Sequence, residues 1–254
     1  MSNNQDSLFI PDWPAPSNVK SCITTRLGGF SEGCFESNNL AHHVADDTVA
    51  VAKNRKQLAS AIACDQIQWL DQVHGTKLVE AMPDEYTRTA DGCYSSNKNQ
   101  VCSVMTADCL PVLLCNKAGT QVAAVHAGWR GLASGIVANA LALFDDRAAD
   151  VMVYLGPAIS NSHFEVGIDV LEAFFEASLS EAHLNSVSLA FSPSVSRPMK
   201  YQANIYALAK AELNELGVTA IYGGDYCTYR DSDRFYSYRR DGQTGRFASL
   251  IWLT

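Results

Sequence analysis

No Cys-x-x-Cys pair occurs among the eight cysteines of this 254-residue chain, at positions 22, 34, 64, 93, 102, 109, 115 and 227. Several of these thiols sit inside apolar segments, which argues against a secreted disulfide scaffold and for reduced cysteines in the cytoplasm. Basic clusters are missing too. The longest basic run is Arg239-Arg240, and a net charge of -8 with a pI near 5.2 excludes a nucleic-acid surface, because phosphate binding along a strand needs clustered Lys and Arg. Nowhere does an apolar run approach the ~20 residues of a membrane span. Met1 to Pro16 is polar and lacks the basic and then apolar order of a signal peptide. The glycines between Gly28 and Gly33 match neither G-x-G-x-x-G nor a Walker loop, so they read as turn residues. With no fixed-period repeat and no low-complexity linker, residues 1–254 are expected to form a single domain.

What is present centres on Val101 to Arg130. Val101–Met105, Leu110–Cys115 and Gln121–Val125 are short apolar runs bounded by Asp, Pro, Gly and Asn, the pattern of strands buried on both faces. Cys109 falls at the break between the first two runs, and His126 falls where the third meets Ala127-Gly128. Ends of buried strands are where reactive groups are commonly displayed. Upstream, His74 occupies a similar boundary, just before Gly75. Two imidazoles and one thiolate make three ligands, and zinc with three protein ligands and one open position is a catalytic arrangement. The separations match no compact finger spacing, so packing roles for these residues stay open at this point.

Elsewhere, Val19–Thr25, Val151–Leu155, Ala220–Tyr222 and Ala248–Leu253 read as strands. Helices are expected over Thr48–Ala63, Trp129–Phe144, Asp169–Ala177 and Asn204–Leu216, with a loop from Ser192 to Pro198. Arg130, at the start of the second of these helices, is a fork-shaped donor for phosphate or an oxyanion, or else the partner of a carboxylate. The segment carrying Cys227 and Arg239 is expected to fold back over the site. His163-Phe164-Glu165 spells half of a deaminase zinc signature, but no Pro-Cys-x-x-Cys follows it.

Gln72-Val73-His74-Gly75, Thr106-Ala107-Asp108-Cys109-Leu110-Pro111-Val112 and Ala124-Val125-His126-Ala127-Gly128-Trp129-Arg130-Gly131 resemble the three signature motifs of the laccase-domain family. This family is also called the polyphenol oxidase or purine nucleoside phosphorylase family and includes a bacterial peptidoglycan editing factor. The likeness continues in Thr24-Thr25-Arg26-Leu27-Gly28-Gly29, Gly156-Pro157-Ala158-Ile159, Phe164-Glu165-Val166-Gly167, Cys227-Thr228 and Ser237-Tyr238-Arg239-Arg240-Asp241. The resemblance implies an α+β fold, a four-layer α-β-β-α sandwich of mixed sheets, with zinc ligands at His74, Cys109 and His126. It also implies substrate contacts at Arg26, Asn39, His43 and Arg130. Ala45 stands where the family often has Gly, a departure in the loop after His43.

The resemblance implies a zinc enzyme of purine nucleosides: phosphorolysis of adenosine, inosine and methylthioadenosine, and deamination of adenosine. Its partners would be a small-molecule substrate and phosphate, its state a monomer or weak dimer. The same family implies an alternative, a cytoplasmic amidase that edits cell-wall precursors carrying the wrong amino acid. From the residues alone comes a third: a metal-free hydrolase with Cys109 as nucleophile and His126 as base. The oxidase name fits poorly, since blue-copper oxidases bind several coppers through repeated His-x-His pairs and the six histidines here form none. Copper in place of zinc at an N2S site remains chemically reasonable.

Overall fold

In the computed structural model, which describes residues 7–84, 86–195 and 197–254, the apolar runs become strands of two mixed sheets. Val101–Thr106, Leu110–Asn116 and Val122–Ala127 are buried along their whole length, hence their unbroken apolar character. The first sheet has five strands, in the order Leu8–Phe9, Val19–Thr24, Phe247–Leu253, Val101–Thr106 and Ile67–Gln68. The second has six: Ala220–Gly223, Val151–Leu155, Leu110–Asn116, Val122–Ala127, Gly92–Ser95 and Leu78–Glu80. Both combine antiparallel centres with parallel pairs at an edge.

Side-chain alternation along the central strands joins these layers. Val112 and Leu114 pack with Leu132, Ile136 and Leu208 from helices, whereas Leu113 and Cys115 share a cluster with Ile23, Val104 and Phe247 of the first sheet. That sheet's other face, with Cys22, Met105 and Leu250, is covered by Leu58 of the helix Thr48–Ala61. One helix, two sheets and further helices are thus linked in that order.

Local chemistry sets the helix limits. Asp47 accepts from Val49 N–H at 3.0 Å and caps Thr48–Ala61. Asn204 does the same for Ile205–Glu215 through Ala207 N–H, and Gly217 at φ 90 follows its end. The helix expected over Trp129–Phe144 is broken into Trp129–Ala133 and Ile136–Leu141, because Gly135 takes φ 84, a left-handed conformation that a helix cannot continue through. A helix at Glu181–Leu189, capped by Ser180, was not anticipated from the sequence pattern. Part of the expected loop Ser192–Pro198 is a strand instead: Phe191–Pro193 pairs with Lys200–Ala203. Ser196 lies outside the described residues. Among the described residues no helix is long and apolar enough to cross a membrane.

The connection that matters for the site is Ala107-Asp108-Cys109. It carries the chain from the first sheet, at Thr106, directly to the second, at Leu110. Cys109 therefore sits at the junction of the two sheets.

Candidate metal centre and active site

His74, Cys109 and His126 converge. Their ligand atoms all lie within 4.8 Å of one another, with His74 exposed, Cys109 half-buried and His126 buried. His74 follows the short strand Leu70–Asp71, and His126 lies one residue before the end of Val122–Ala127, not beyond its end as the sequence suggested. His74 Nε2 is 3.9 Å from Cys109 Sγ. Two imidazoles and a thiol this close would be able to hold a zinc ion through N and S donors.

Asp91, fully buried, organises this arrangement, and nothing in the sequence reading singled it out. Its Oδ1 accepts from His126 Nδ1 at 2.8 Å and from His74 N–H at 2.9 Å; its Oδ2 accepts from Gly75 N–H at 2.6 Å and Val73 N–H at 3.2 Å. A carboxylate can only accept, so Nδ1 of His126 carries a proton toward Asp91 and Nε2 is the nitrogen that would bind an ion, in place of its own proton. The successive N–H groups of Val73, His74 and Gly75 converge on the carboxylate as His74 takes φ 60, a conformation that this anion holds in place. Gly128 keeps the space open. A Cβ there would sit 3.1 Å from both Cys109 Sγ and His74 Cδ2.

The electrostatics are those of a thiolate site. Burial pushes the Cys109 thiol up, but the charge and hydrogen bond of His126, then those of His74, outweigh it and bring it to about 6. For His126, burial acts downward and is overcome by Cys109 and Asp91, which raise it to about 9. Deprotonated sulfur beside two imidazoles is the donor set that zinc takes, so the residues present fit that ion.

The triad opens into a cavity of about 460 Å3, a volume typical of small-molecule sites. His43, Trp129, Arg130, Tyr238, Arg239 and Arg246 line it. Arg130 stacks on Trp129, 4.3 Å from the ring centroid, and among the described residues it pairs with no carboxylate. As expected, the segment after Cys227 folds back over the site: Asp108, at φ 97, accepts from Thr228 hydroxyl and from Arg239 N–H, both at 2.7 Å.

Two of the substrate contacts that the resemblance implies are not among the residues lining this cavity. Arg26 is not among the residues lining the cavity; its guanidinium donates to the carbonyls of Glu36 and Ser232 and stacks on Tyr236, tying loops together. Asn39 is fully buried and is likewise absent from the lining. Its amide bonds Ala41, Asp46 and the backbone N–H of Arg246, so it holds the loop that presents Arg246. Tyr238 and Arg246, unlike these two, line the cavity without having been proposed from the sequence. They lie in loop and helix-end segments with no periodicity to mark them.

Residues 20–254 match the family model described as multi-copper polyphenol oxidoreductase laccase. The chain belongs to this family. A Pseudomonas aeruginosa protein named purine nucleoside phosphorylase is 49% identical to it over 245 residues, covering 96% of this chain and 98% of that protein. Purine nucleoside phosphorylase YfiH of Escherichia coli K12 is 45% identical, with 97% and 98% covered. Among solved structures, a Neisseria meningitidis protein superposes with a TM-score of 0.91 at 46% identity, over 97% of this chain and 99% of that one. YlmD from Geobacillus stearothermophilus reaches 0.85 at 28% identity, over 94% and 93%. Membership in this laccase family makes the mixed-sheet α and β architecture that of its solved members.

Proposed function

We propose that the protein is a zinc-dependent enzyme of purine nucleosides, cleaving adenosine, inosine and methylthioadenosine with phosphate and deaminating adenosine. The observation that carries this reading is the convergence of His74, Cys109 and His126 on a cavity lined by three guanidinium groups, in a chain whose relatives carry the phosphorylase name. Bound there, zinc supplies a Lewis acid that polarises oxygen and acidifies water.

The chain's own residues do the rest. His74, Cys109 and His126 hold the ion, and Asp91 fixes the tautomer and orientation of His126. Arg130, stacked on Trp129 and without a carboxylate partner among the described residues, offers its fork of donors to phosphate. Tyr238, 62% exposed at the cavity edge, is placed to cover a bound base and keep water from it. We place the protein in the cytoplasm as a single-domain enzyme, where its eight free thiols stay reduced.

One observation favours a second reading. Asp91, His126 and Cys109 follow one another in the order of a thiol hydrolase triad, with the cysteine lowered to about 6. The deciding experiment incubates the zinc-loaded protein with a nucleoside panel with and without phosphate, and separately with muramoyl-amino acid precursors. Phosphate-dependent release of free base and ribose 1-phosphate supports the proposal. Release of amino acid from the precursors alone would replace it with the cell-wall amidase reading.

A further inference from the structure

The cavity brings three guanidinium groups together, with Asp108 the one carboxylate in its lining. Arg130 enters from the helix that follows the strand Val122–Ala127 of the six-stranded sheet. Arg246 comes from the other sheet, as the residue preceding Phe247–Leu253. Arg239 is the third, from the segment anchored by Asp108.

None of the three pairs with a carboxylate among the described residues, in a protein whose net charge is -8. What Arg239 and Arg246 do bond is informative. Arg246 spends only Nη1, on the carbonyls of Thr244 and Gly245, and Arg239 spends only Nη1, on those of His163 and Glu165. In both, these backbone bonds brace one side of the fork and leave Nε and the other amino group uncommitted. Arg246 is half-buried and Arg239 exposed; neither hydrogen-bonds a carboxylate through its guanidinium, and two forks with free donors on one cavity are prepared to receive an anion. Loop packing alone needs neither free charge.

We infer that the cavity holds two anionic groups together: inorganic phosphate at Arg130, and a phosphoryl group belonging to the organic substrate at Arg239 and Arg246. Resting on the nucleoside reading above, this names the preferred substrate class as nucleoside 5′-monophosphates in addition to uncharged nucleosides. Arg130 and Arg246 come from elements of different sheets, which the crossover that carries Cys109 joins. Arg239 and Arg246 are therefore specificity-determining residues that bind the substrate's own charge.

The test compares adenosine, adenosine 5′-monophosphate, inorganic phosphate and inorganic diphosphate as ligands of the zinc-loaded protein by titration calorimetry. The wild type should bind the monophosphate at least about tenfold tighter than adenosine, and saturating inorganic phosphate should leave that binding in place. In Arg246→Met the ratio of monophosphate to adenosine affinity should fall to near one, with Arg246→Lys intermediate. Zinc content and the near-ultraviolet spectrum, measured on the same samples, identify a variant that has misfolded. In that case Arg239→Met carries the comparison. One-for-one displacement of the monophosphate by inorganic phosphate, or equal affinities for monophosphate and adenosine in the wild type, overturns the inference. Arg246-dependent binding of diphosphate without binding of either adenosine compound would keep the anion subsite and remove the nucleoside reading beneath it.

Discussion

A single carboxylate oxygen, Oδ1 of Asp91, stands 2.8 Å from His126 Nδ1 and also accepts the backbone N–H of His74, so one atom sets the positions of two imidazoles. The consequence is a metal site whose geometry is assembled by a residue that would not touch the ion. Asp91→Asn should weaken zinc binding by about 10–100-fold while the protein remains folded, because an amide can bond His126 in the wrong tautomer. Competition against a chromophoric chelator measures it. An affinity equal to that of the wild type would show that Asp91 does not position the ligands.

His74 separates the zinc mechanism from the thiol one. The zinc reading expects about one zinc per chain, lost with turnover in His74→Ala, and slow alkylation of Cys109 by iodoacetamide until a chelator is added. In the thiol reading the reactive pair is Cys109 with His126, so His74→Ala stays active. Elemental analysis and a labelling time course on both proteins decide. Fast labelling of the metal-loaded wild type together with an active His74→Ala would remove zinc from the mechanism.

Arg130→Ala should raise the phosphate KM by about tenfold or more, with a much smaller change in nucleoside KM, since it deletes a contact to one substrate only. Steady-state kinetics with each substrate varied in turn supplies the ratio. Equal changes in both constants would assign Arg130 to the fold.

Glu212 lines a small apolar pocket with Leu132, Phe174 and Leu208, and burial pushes its carboxyl up to about 7 against a backbone hydrogen bond with Ala138. The folded chain thus keeps a proton that the unfolded chain releases near 4.5. Stability from this group is full below that pH and is lost as pH rises through about 7, on the order of 3 kcal/mol in all. Glu212→Gln should flatten that slope and be the more stable protein at alkaline pH. Urea melts at several pH values between 4.5 and about 7 test it, and parallel slopes for the two proteins would contradict it.

Ala45 closes the turn after His43 at φ 64 and ψ 29, a left-handed conformation that costs an alanine roughly 1 kcal/mol. Ala45→Gly should therefore stabilise the protein by about 0.5 kcal/mol and raise Tm by about 1–2 °C, the strain relief being partly offset by the added entropy of the unfolded chain. A lowered Tm in a thermal melt would mean that the alanine methyl packs usefully.

Cys109 and His126 could be read from the sequence because each borders a buried strand, and such strands announce themselves as unbroken apolar runs. His74 was legible by its glycine boundary and by the family motif around it. Asp91 was not, because Ala90-Asp91-Gly92 looks like any turn. Its role exists only where the chain brings residues 73–75 and 126 to the same carboxylate. Arg26 and Asn39 show the converse. The family resemblance marked them out, yet packing commits their polar groups to backbone carbonyls and N–H groups, and neither lines the cavity.

By itself the sequence determined the long central strands, the helices that begin near Thr48 and Asn204, and which thiol and imidazoles lie at the buried runs. These are local matters of periodicity, capping and backbone freedom, written in neighbouring residues. The tertiary structure alone decided that Ala107-Asp108-Cys109 crosses between sheets, that Gly135 divides a helix, and that Arg130, Arg239 and Arg246 line one cavity. Those outcomes depend on which apolar faces are buried against each other, a long-range choice that the residues around any one position do not encode.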